Sequence, residues 1–310
     1  MKRFIRAAVS MLAGATFVIA ALGTVHAADK INAVATFSVI GDIAANVAGD
    51  HVNLTTIVGP NGDTELYSPT AGDIPVVANA RILFMNGLND EFEPWAETLM
   101  KQARFAGTKV IVTRGVKVLS ADDEHPTGGK PKAPVLDQHA WLDPRNGIIY
   151  VKNIADALVR ADPANAEDYR KRAAAYTAEL RALDTWARAE MAAVPAAKRR
   201  ALASHDSLQY LANAFQITLI SVNGWTNKSE PSAAELAKLT GQIKRERVKA
   251  LFLDSITDPR AMQRISKETG AVIGGTLYGD ALSKPDGEAG TYINMIRHDV
   301  TTLKAGMLLN

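Results

Sequence analysis

The chain contains no cysteine, which excludes two chemistries for a protein of 310 residues. Disulfide bonds cannot form, so the fold has to be stabilised by its buried apolar cores alone. Thiolate ligands are also excluded, so a metal site would have to use histidine, aspartate and glutamate side chains.

The chain also lacks a large excess of either charge: it has 35 lysine and arginine residues and 33 acidic residues, so the formal net charge is +2. This balance favours neither a nucleic-acid-binding surface nor an acidic tail, and we expect no nucleic acid partner. The hydrophobic fraction of 47% is sufficient for one large domain or two medium-sized domains.

Long apolar runs are confined to the beginning of the chain. Three basic residues precede an apolar run from 7 to 22, and Val25-His26-Ala27 has the small-x-small pattern of a cleavage site. The pattern predicts a secretory signal peptide over residues 1–27, cleaved after Ala27, and a periplasmic mature protein. An uncleaved anchor is the alternative, because the run approaches spanning length. We expect no membrane span in the mature chain.

After Ala27, short β-rich runs alternate with helical patterns. The predicted strands are 31–36, 52–58, 81–85 and 109–112 in the first half, and 200–203, 217–220, 250–253 and 271–276 in the second half. Helical periodicity separates most of these runs, and a further helix is predicted over residues 148–160. Such alternation is typical of an α/β fold with mostly parallel sheets.

A single long helix is predicted between the two halves, over residues 164–193. Pro163 suits the first turn of a helix, Asp162 is a reasonable N-cap, and Pro195 ends the pattern. Apolar side chains recur at steps of three and four residues and mark one buried face. The predicted organisation is therefore an N-terminal lobe at 28–161, a linking helix within 162–195 and a C-terminal lobe at 196–310.

Two histidines lie where α/β folds place their ligands. His139 precedes a predicted helix in the run Asp137 to Pro144, and His205 follows a predicted strand directly. Strand-to-helix junctions at the carboxyl ends of parallel strands are common ligand positions. Neither histidine lies on an apolar helical stripe, although a core histidine remains the alternative interpretation.

Two carboxylates have matching contexts. Glu65 lies in the loop after the strand at 52–58, and Asp280 lies just beyond the strand at 271–276. Each alone is more typical of a solvated loop acid or a helix cap. With His139 and His205 they form a set of two nitrogen and two oxygen donors, two from each half, as expected for a cleft between lobes.

These motifs resemble those of the periplasmic solute-binding proteins that serve zinc and manganese ABC importers, the TroA-like cluster A-I type. The matching motifs are Asp63 to Thr70, His139 to Pro144, Ser204-His205-Asp206, Ile256 to Arg260 and Gly275 to Ala281. The resemblance implies two α/β lobes joined by one rigid helix, with a divalent ion held between them as the transported ligand. It places the ligands on Glu65, His139, His205 and Asp280, and implies a membrane permease as the partner of a monomer.

Glu65 departs from the family pattern, which normally has histidine at this position. Two carboxylates suit Mn²⁺ or Fe²⁺ better than a closed zinc tetrahedron, whereas the Irving–Williams order favours Zn²⁺ over Mn²⁺ at almost any nitrogen and oxygen site. A third interpretation is that Glu65 weakens the site and that the protein binds metal poorly. Zinc-specific members of this family often carry a long, histidine-rich loop in the region of residues 121–134. Here that polar loop has a single histidine, His125, so a zinc-scavenging loop is absent or vestigial. Asp206 and Asp254 are the candidate partners of the ligating histidines.

A metallohydrolase and a surface adhesin are the alternatives to a transport function. A metallohydrolase needs an open coordination position and a general base, and the chain has no HExxH motif or comparable histidine pair. A surface adhesin is compatible with the same fold. We expect no enzymatic activity.

Overall fold

The computed structural model describes residues 30–88, 92–120, 136–205, 207–220 and 232–310. The strands are β1 (Ile31–Phe37), β2 (Val52–Val58), β3 (Ile82–Met85), β4 (Thr108–Ile111), β5 (Arg200–Ala203), β6 (Thr218–Leu219), β7 (Ala250–Asp254) and β8 (Val272–Leu277). The helices are α1 (Ser38–Ala48), α2 (Asp73–Ala78), α3 (Ala96–Gln102), α4 (Pro144–Ala161), α5 (Ala166–Ala192), α6 (Gln209–Phe215), α7 (Ala233–Glu246), α8 (Arg260–Thr269) and α9 (Tyr292–Met307). In these ranges no helix has both the length and the apolar character that crossing a bilayer requires.

The strands form two four-stranded sheets, which confirms the predicted α/β class. Their orders are β2-β1-β3-β4 and β6-β5-β7-β8, and all their pairings are parallel. In each sheet the chain leaves a central strand in one direction and returns on its other side. The crevice at such a switch point, outside the carboxyl ends of the strands, is where α/β sheets bind ligands.

The first sheet is closed at this end by an aromatic cluster. Phe37, the last residue of β1, is fully buried, and its ring centroid lies 4.9 Å from those of Phe92 and Trp141. Trp141 belongs to a 3₁₀ turn at Ala140–Leu142. Aromatic packing therefore fixes the segment that carries His139 against the central strand of the sheet.

Helix α4 begins earlier than the periodicity predicts, at Pro144 rather than Ile148. The Asp143 carboxylate accepts a hydrogen bond of 2.9 Å from the backbone N–H of Arg145, and Pro144 occupies the first turn. This cap-and-proline pair starts the helix directly after the histidine segment.

Helix α5 links the halves and has 27 residues, so it is about 40 Å long at ~1.5 Å per residue. It contacts α1 and α4 of the first half and α6 and α9 of the second. Its buried face is formed by Tyr169, Tyr176, Leu180, Leu183, Ala187 and Met191, all within one core that continues into both halves. The long linking helix is therefore confirmed, and the shared core holds both sheets against it.

The expected N-cap of this helix is wrong. Residues Pro163–Asn165 form a 3₁₀ turn, and the α-helix begins only at Ala166. The Asp162 carboxylate instead accepts hydrogen bonds of 2.7 Å from the side chains of Asn165 and Tyr169. Side chains thus supply the closest hydrogen bonds to this carboxylate.

Replacing Leu180 by alanine should destabilise the protein by roughly 2–5 kcal/mol, because this fully buried side chain packs α5 onto the shared core. Glu179→Ala is the matched control: the neighbouring side chain is exposed, so its removal should change the free energy of unfolding by about 0.5 kcal/mol or less. Urea denaturation of the metal-free proteins measures both. Equal effects at the two positions would contradict the packing assigned to α5.

Candidate metal centre

Four side chains from distant parts of the sequence meet at one point of the structure. Glu65, His139, His205 and Asp280 are each buried, and each offers one ligand atom such that all four atoms lie within 4.8 Å of one another. The set combines two imidazole nitrogens with two carboxylate oxygens, a donor set suited to divalent transition metals. The structure thus brings together all four residues singled out from the sequence.

The four residues lie at or beyond the carboxyl ends of the strands of both sheets. Glu65 lies in the loop after β2, and His139 immediately precedes the 3₁₀ turn between β4 and α4. His205 follows β5, and Asp280 lies three residues after the end of β8. Two residues precede α5 and two follow it, so the site joins the two halves of the molecule.

Asp280 occupies the centre of the cluster. Its Oδ1 lies 3.3 Å from Nε2 of His139, and its Oδ2 lies 3.0 Å from Nε2 of His205. Both distances are those of ion pairs, so the Asp280 carboxylate faces both rings at once. The two imidazole rings lie 5.3 Å apart at an angle of 84°. Buried nitrogens and carboxylate oxygens that converge on one point form an arrangement that a divalent cation can occupy.

The charges of the site act strongly on its histidines. Burial lowers the pKa of the His139 imidazole, but the charges of Asp280 and Asp137 outweigh this effect and the pKa is raised. Burial likewise lowers the pKa of His205, and the facing carboxylate of Asp280 more than offsets it, raising the pKa to about 10. Both shifts favour the protonated form, so protons compete with a metal ion for these nitrogens.

Asp137 orients His139 and was missed by the sequence analysis. Its Oδ1 lies 2.8 Å from Nδ1 of His139 and also accepts the backbone N–H of His139 at 2.9 Å. A carboxylate on Nδ1 fixes the ring orientation and leaves Nε2 for the metal. The signal was present as an acid two residues before the histidine, but that spacing alone does not show which side chains meet.

The loop that carries Glu65 is held from two sides. Nε1 of Trp95 donates a hydrogen bond of 2.9 Å to the carbonyl of Thr64. The side-chain amide of Gln138 donates directly to Oε1 of Glu65. Gln138 is thus a second residue of the site that the sequence analysis did not identify, although it adjoins His139.

The loop that carries Asp280 is tied to the opposite half of the molecule. Nε1 of Trp141 donates to the carbonyl of Gly279 at 2.7 Å, and the backbone N–H of Leu282 donates to Oγ of Ser38 at 2.9 Å. A third bond of 2.8 Å runs from the N–H of Asn61 to the carbonyl of Leu282. Asp280 is therefore held in place by elements that precede α5 as well as by its own strand.

Gly279 allows close packing beside Asp280. A Cβ atom at this position would lie 2.5 Å from Oγ of Ser207 and 2.8 Å from Oδ2 of Asp254. The Asp254 carboxylate accepts the N–H groups of Ile256 and Gly279, at 2.9 and 3.3 Å. Burial and the charge of Asp280 raise the pKa of Asp254 to about 6.

Asp206 and Asp254 were the carboxylates expected to orient the histidine rings. The Asp254 carboxylate accepts hydrogen bonds from the backbone of its own loop and of the Asp280 loop, and no hydrogen bond joins it to a histidine within the described residues. Asp206 and His125 lie outside the described residues. The partner that the structure does place on a histidine ring is Asp137.

Comparison with known proteins gives a family match over most of the chain. Residues 33–306 match the model of the ZnuA family, described as zinc-uptake complex component A, periplasmic. The iron-binding protein YfeA of Yersinia pestis is 32% identical, with 90% of this chain and 87% of the relative covered. The manganese ABC transporter substrate-binding lipoprotein PsaA of Streptococcus pneumoniae is 30% identical, with 90% and 89% covered.

A solved structure agrees with the same assignment. The periplasmic zinc-binding protein TroA of Treponema pallidum superposes with a TM-score of 0.79 at 26% identity, over 90% of this chain and 99% of that one. The three names refer to iron, manganese and zinc, so the ion carried by this chain has to be argued from its own side chains.

Asp137→Ala should weaken divalent metal binding by about 10- to 100-fold, because His139 loses the carboxylate that orients its ring. Asp156→Ala is the matched control, since its carboxylate is exposed on α4 and, among the described residues, forms an ion pair with Lys152 alone, at 2.7 Å. Competition titration against a chromophoric chelator measures both affinities. Wild-type affinity in Asp137→Ala would show that the orientation of His139 does not depend on this carboxylate.

Proposed function

The chain belongs to the ZnuA family of metal-binding components of ABC importers, and we propose that it captures Mn²⁺ or Fe²⁺ through Glu65, His139, His205 and Asp280. It is a solute-binding transport protein without enzymatic activity, and a divalent metal ion is its transported ligand. The family assignment decides against the metallohydrolase alternative.

One observation carries the choice of these four residues, namely their convergence in a buried pocket. Three of the four are at most 4% exposed and Glu65 is 6% exposed, so their charges are largely removed from water. Buried carboxylates are expensive unless they are paired or bind a metal. A divalent ion would neutralise Glu65 and Asp280 while the two imidazoles bind in their neutral form.

The choice of ion follows from the donor set. Two carboxylates and two imidazoles offer up to six donor atoms, whereas a structural zinc site is usually closed by four. Both oxygens of Asp280 lie within 3.3 Å of a ligand nitrogen, which supports binding through both oxygens. Hard oxygen donors and a coordination number above four suit Mn²⁺ and Fe²⁺. Zinc still binds such a site in vitro by the Irving–Williams order, so uptake rather than affinity alone identifies the cargo.

The localisation, oligomeric state and partner of the protein are proposed from the same family. The family model is described as periplasmic, and the relative PsaA as a lipoprotein. We place this chain in the periplasm as a monomer, released by cleavage after Ala27, and its partner is the membrane permease of a metal ABC importer. The proposed lobes, 28–161 and 196–310, flank the linking helix within 162–195, in accord with a core that continues along α5.

His139→Ala and Asp280→Ala should each lower metal affinity by at least about 100-fold, more than the loss of an outer hydrogen-bond partner produces. His51→Ala is the control histidine, because its ring pairs with Asp168 at 3.0 Å, away from the site. Isothermal titration with Mn²⁺, together with elemental analysis of protein purified from the periplasm, provides the test. Full metal retention in either ligand variant would disprove the assigned site.

Glu65→His should shift preference towards Zn²⁺ by removing one oxygen donor and adding a third imidazole. The measured quantity is the ratio of the Mn²⁺ and Zn²⁺ dissociation constants, determined by competition for wild type and variant. We expect this ratio to rise about tenfold or more, with the wild-type fold retained in circular dichroism. An unchanged ratio would remove Glu65 from the ligand set.

A further inference from the structure

The amide of Gln138 makes a contact that the ligand set alone does not explain. Its side-chain N–H group donates to Oε1 of Glu65, the residue that stands where histidine is usual in the family. Both side chains are buried, with Gln138 8% and Glu65 6% exposed. A buried amide placed directly on a metal-binding carboxylate affects how that carboxylate can bind.

The position of Gln138 is fixed through its backbone. Its carbonyl accepts a hydrogen bond of 2.8 Å from Nδ2 of Asn86, whose own Oδ1 accepts the hydroxyl of Tyr150 at 2.7 Å. The backbone N–H of Asn86 in turn donates to the buried carboxylate of Glu93 at 3.0 Å. These hydrogen bonds connect Gln138 to the end of β3 and to α4. The position from which its amide donates to Glu65 is therefore fixed.

The donor group of Gln138 suits a carboxylate. Glutamate can accept the amide proton with one oxygen while its other oxygen binds the ion. A neutral imidazole that binds the ion through one nitrogen presents only an N–H donor on the other, so the amide would have to turn and accept with its oxygen. The orientation in which Gln138 donates therefore matches glutamate at position 65.

We propose that Gln138 is the positioning residue that holds Glu65 as a one-oxygen ligand, so that residues 65 and 138 together set the metal preference. The proposal rests on the proposed function, in which Glu65 binds the ion. Asp137, Gln138 and His139 then act as one unit, because the first orients the histidine, the second orients the glutamate and the third binds the metal.

A double-mutant cycle tests this pairing. Gln138→Met keeps the length of the side chain and removes its donor, and it should weaken Mn²⁺ binding by about 10- to 100-fold in the presence of Glu65. In the Glu65→His background, the same substitution should change Mn²⁺ affinity by about threefold or less, because the carboxylate that the amide positions is absent. Thermal unfolding of the four metal-free proteins reports any loss of fold.

Two further variants serve as a second test and as a control. Gln138→Asn keeps the amide but is one methylene shorter, so it should also weaken Mn²⁺ binding even if the methionine variant fails to fold. Asn153→Ala is the matched control, because this amide donates to the carbonyls of Val112 and Arg114 at 2.7 and 2.9 Å, away from the ligands. It should leave Mn²⁺ affinity and the Mn²⁺ to Zn²⁺ ratio unchanged.

The outcomes separate the two proposals. Failure of the wild-type protein to bind Mn²⁺ or Zn²⁺ tightly would overturn the proposed function itself. Tight wild-type binding, with equal losses from Gln138→Met in both backgrounds, would overturn only the pairing and leave Gln138 with a structural role. Tight binding with a loss confined to the Glu65 background supports both.

Discussion

The structure depends on one electrostatic constraint, namely that several carboxylates share a pocket from which water is almost excluded. Glu65, Asp137, Asp254 and Asp280 are all buried around the two histidines. Such a group of negative charges is stable only when positive charge is held among them. The carboxylate charges raise the pKa of both imidazoles, so the site favours positive charge at these two nitrogens. A divalent ion and protons therefore compete for the same nitrogens.

Much of this arrangement could be predicted from the sequence. The strands and most helices follow from periodicity, because parallel strands and amphipathic helices impose distinct patterns on apolar residues. The four candidate ligands could be singled out because strand ends and family motifs mark their positions, and the structure brings them together. Element boundaries were less accurate: Asp143 starts α4 early, and Asp162 bonds to side chains instead of capping α5. Local hydrogen bonds decide these positions, and periodicity carries no information about them.

The residues around the ligands could not be predicted for a related reason. Asp137 and Gln138 are consecutive, yet one bonds to His139 nearby and the other to Glu65, 73 positions away in the chain. Which way each side chain points depends on the 3₁₀ turn at Ala140–Leu142 and on the packing of Trp141. Such directions are products of the tertiary fold, so spacing along the chain does not reveal them.

The Asp280 loop is held from both halves of the molecule. Asp254 and Asp299 accept the N–H groups of Gly279 and Tyr278 within the second half, while the hydrogen bonds with Trp141, Ser38 and Asn61 cross to the first. Each crossing bond contributes roughly 1 kcal/mol net, so the three together contribute about 3 kcal/mol. Leu282 of the same loop also belongs to the core that contains Phe37 and Trp141 of the first half, so apolar burial adds to these bonds. The place of Asp280 between the two histidines therefore depends on packing in both halves as well as on its own strand.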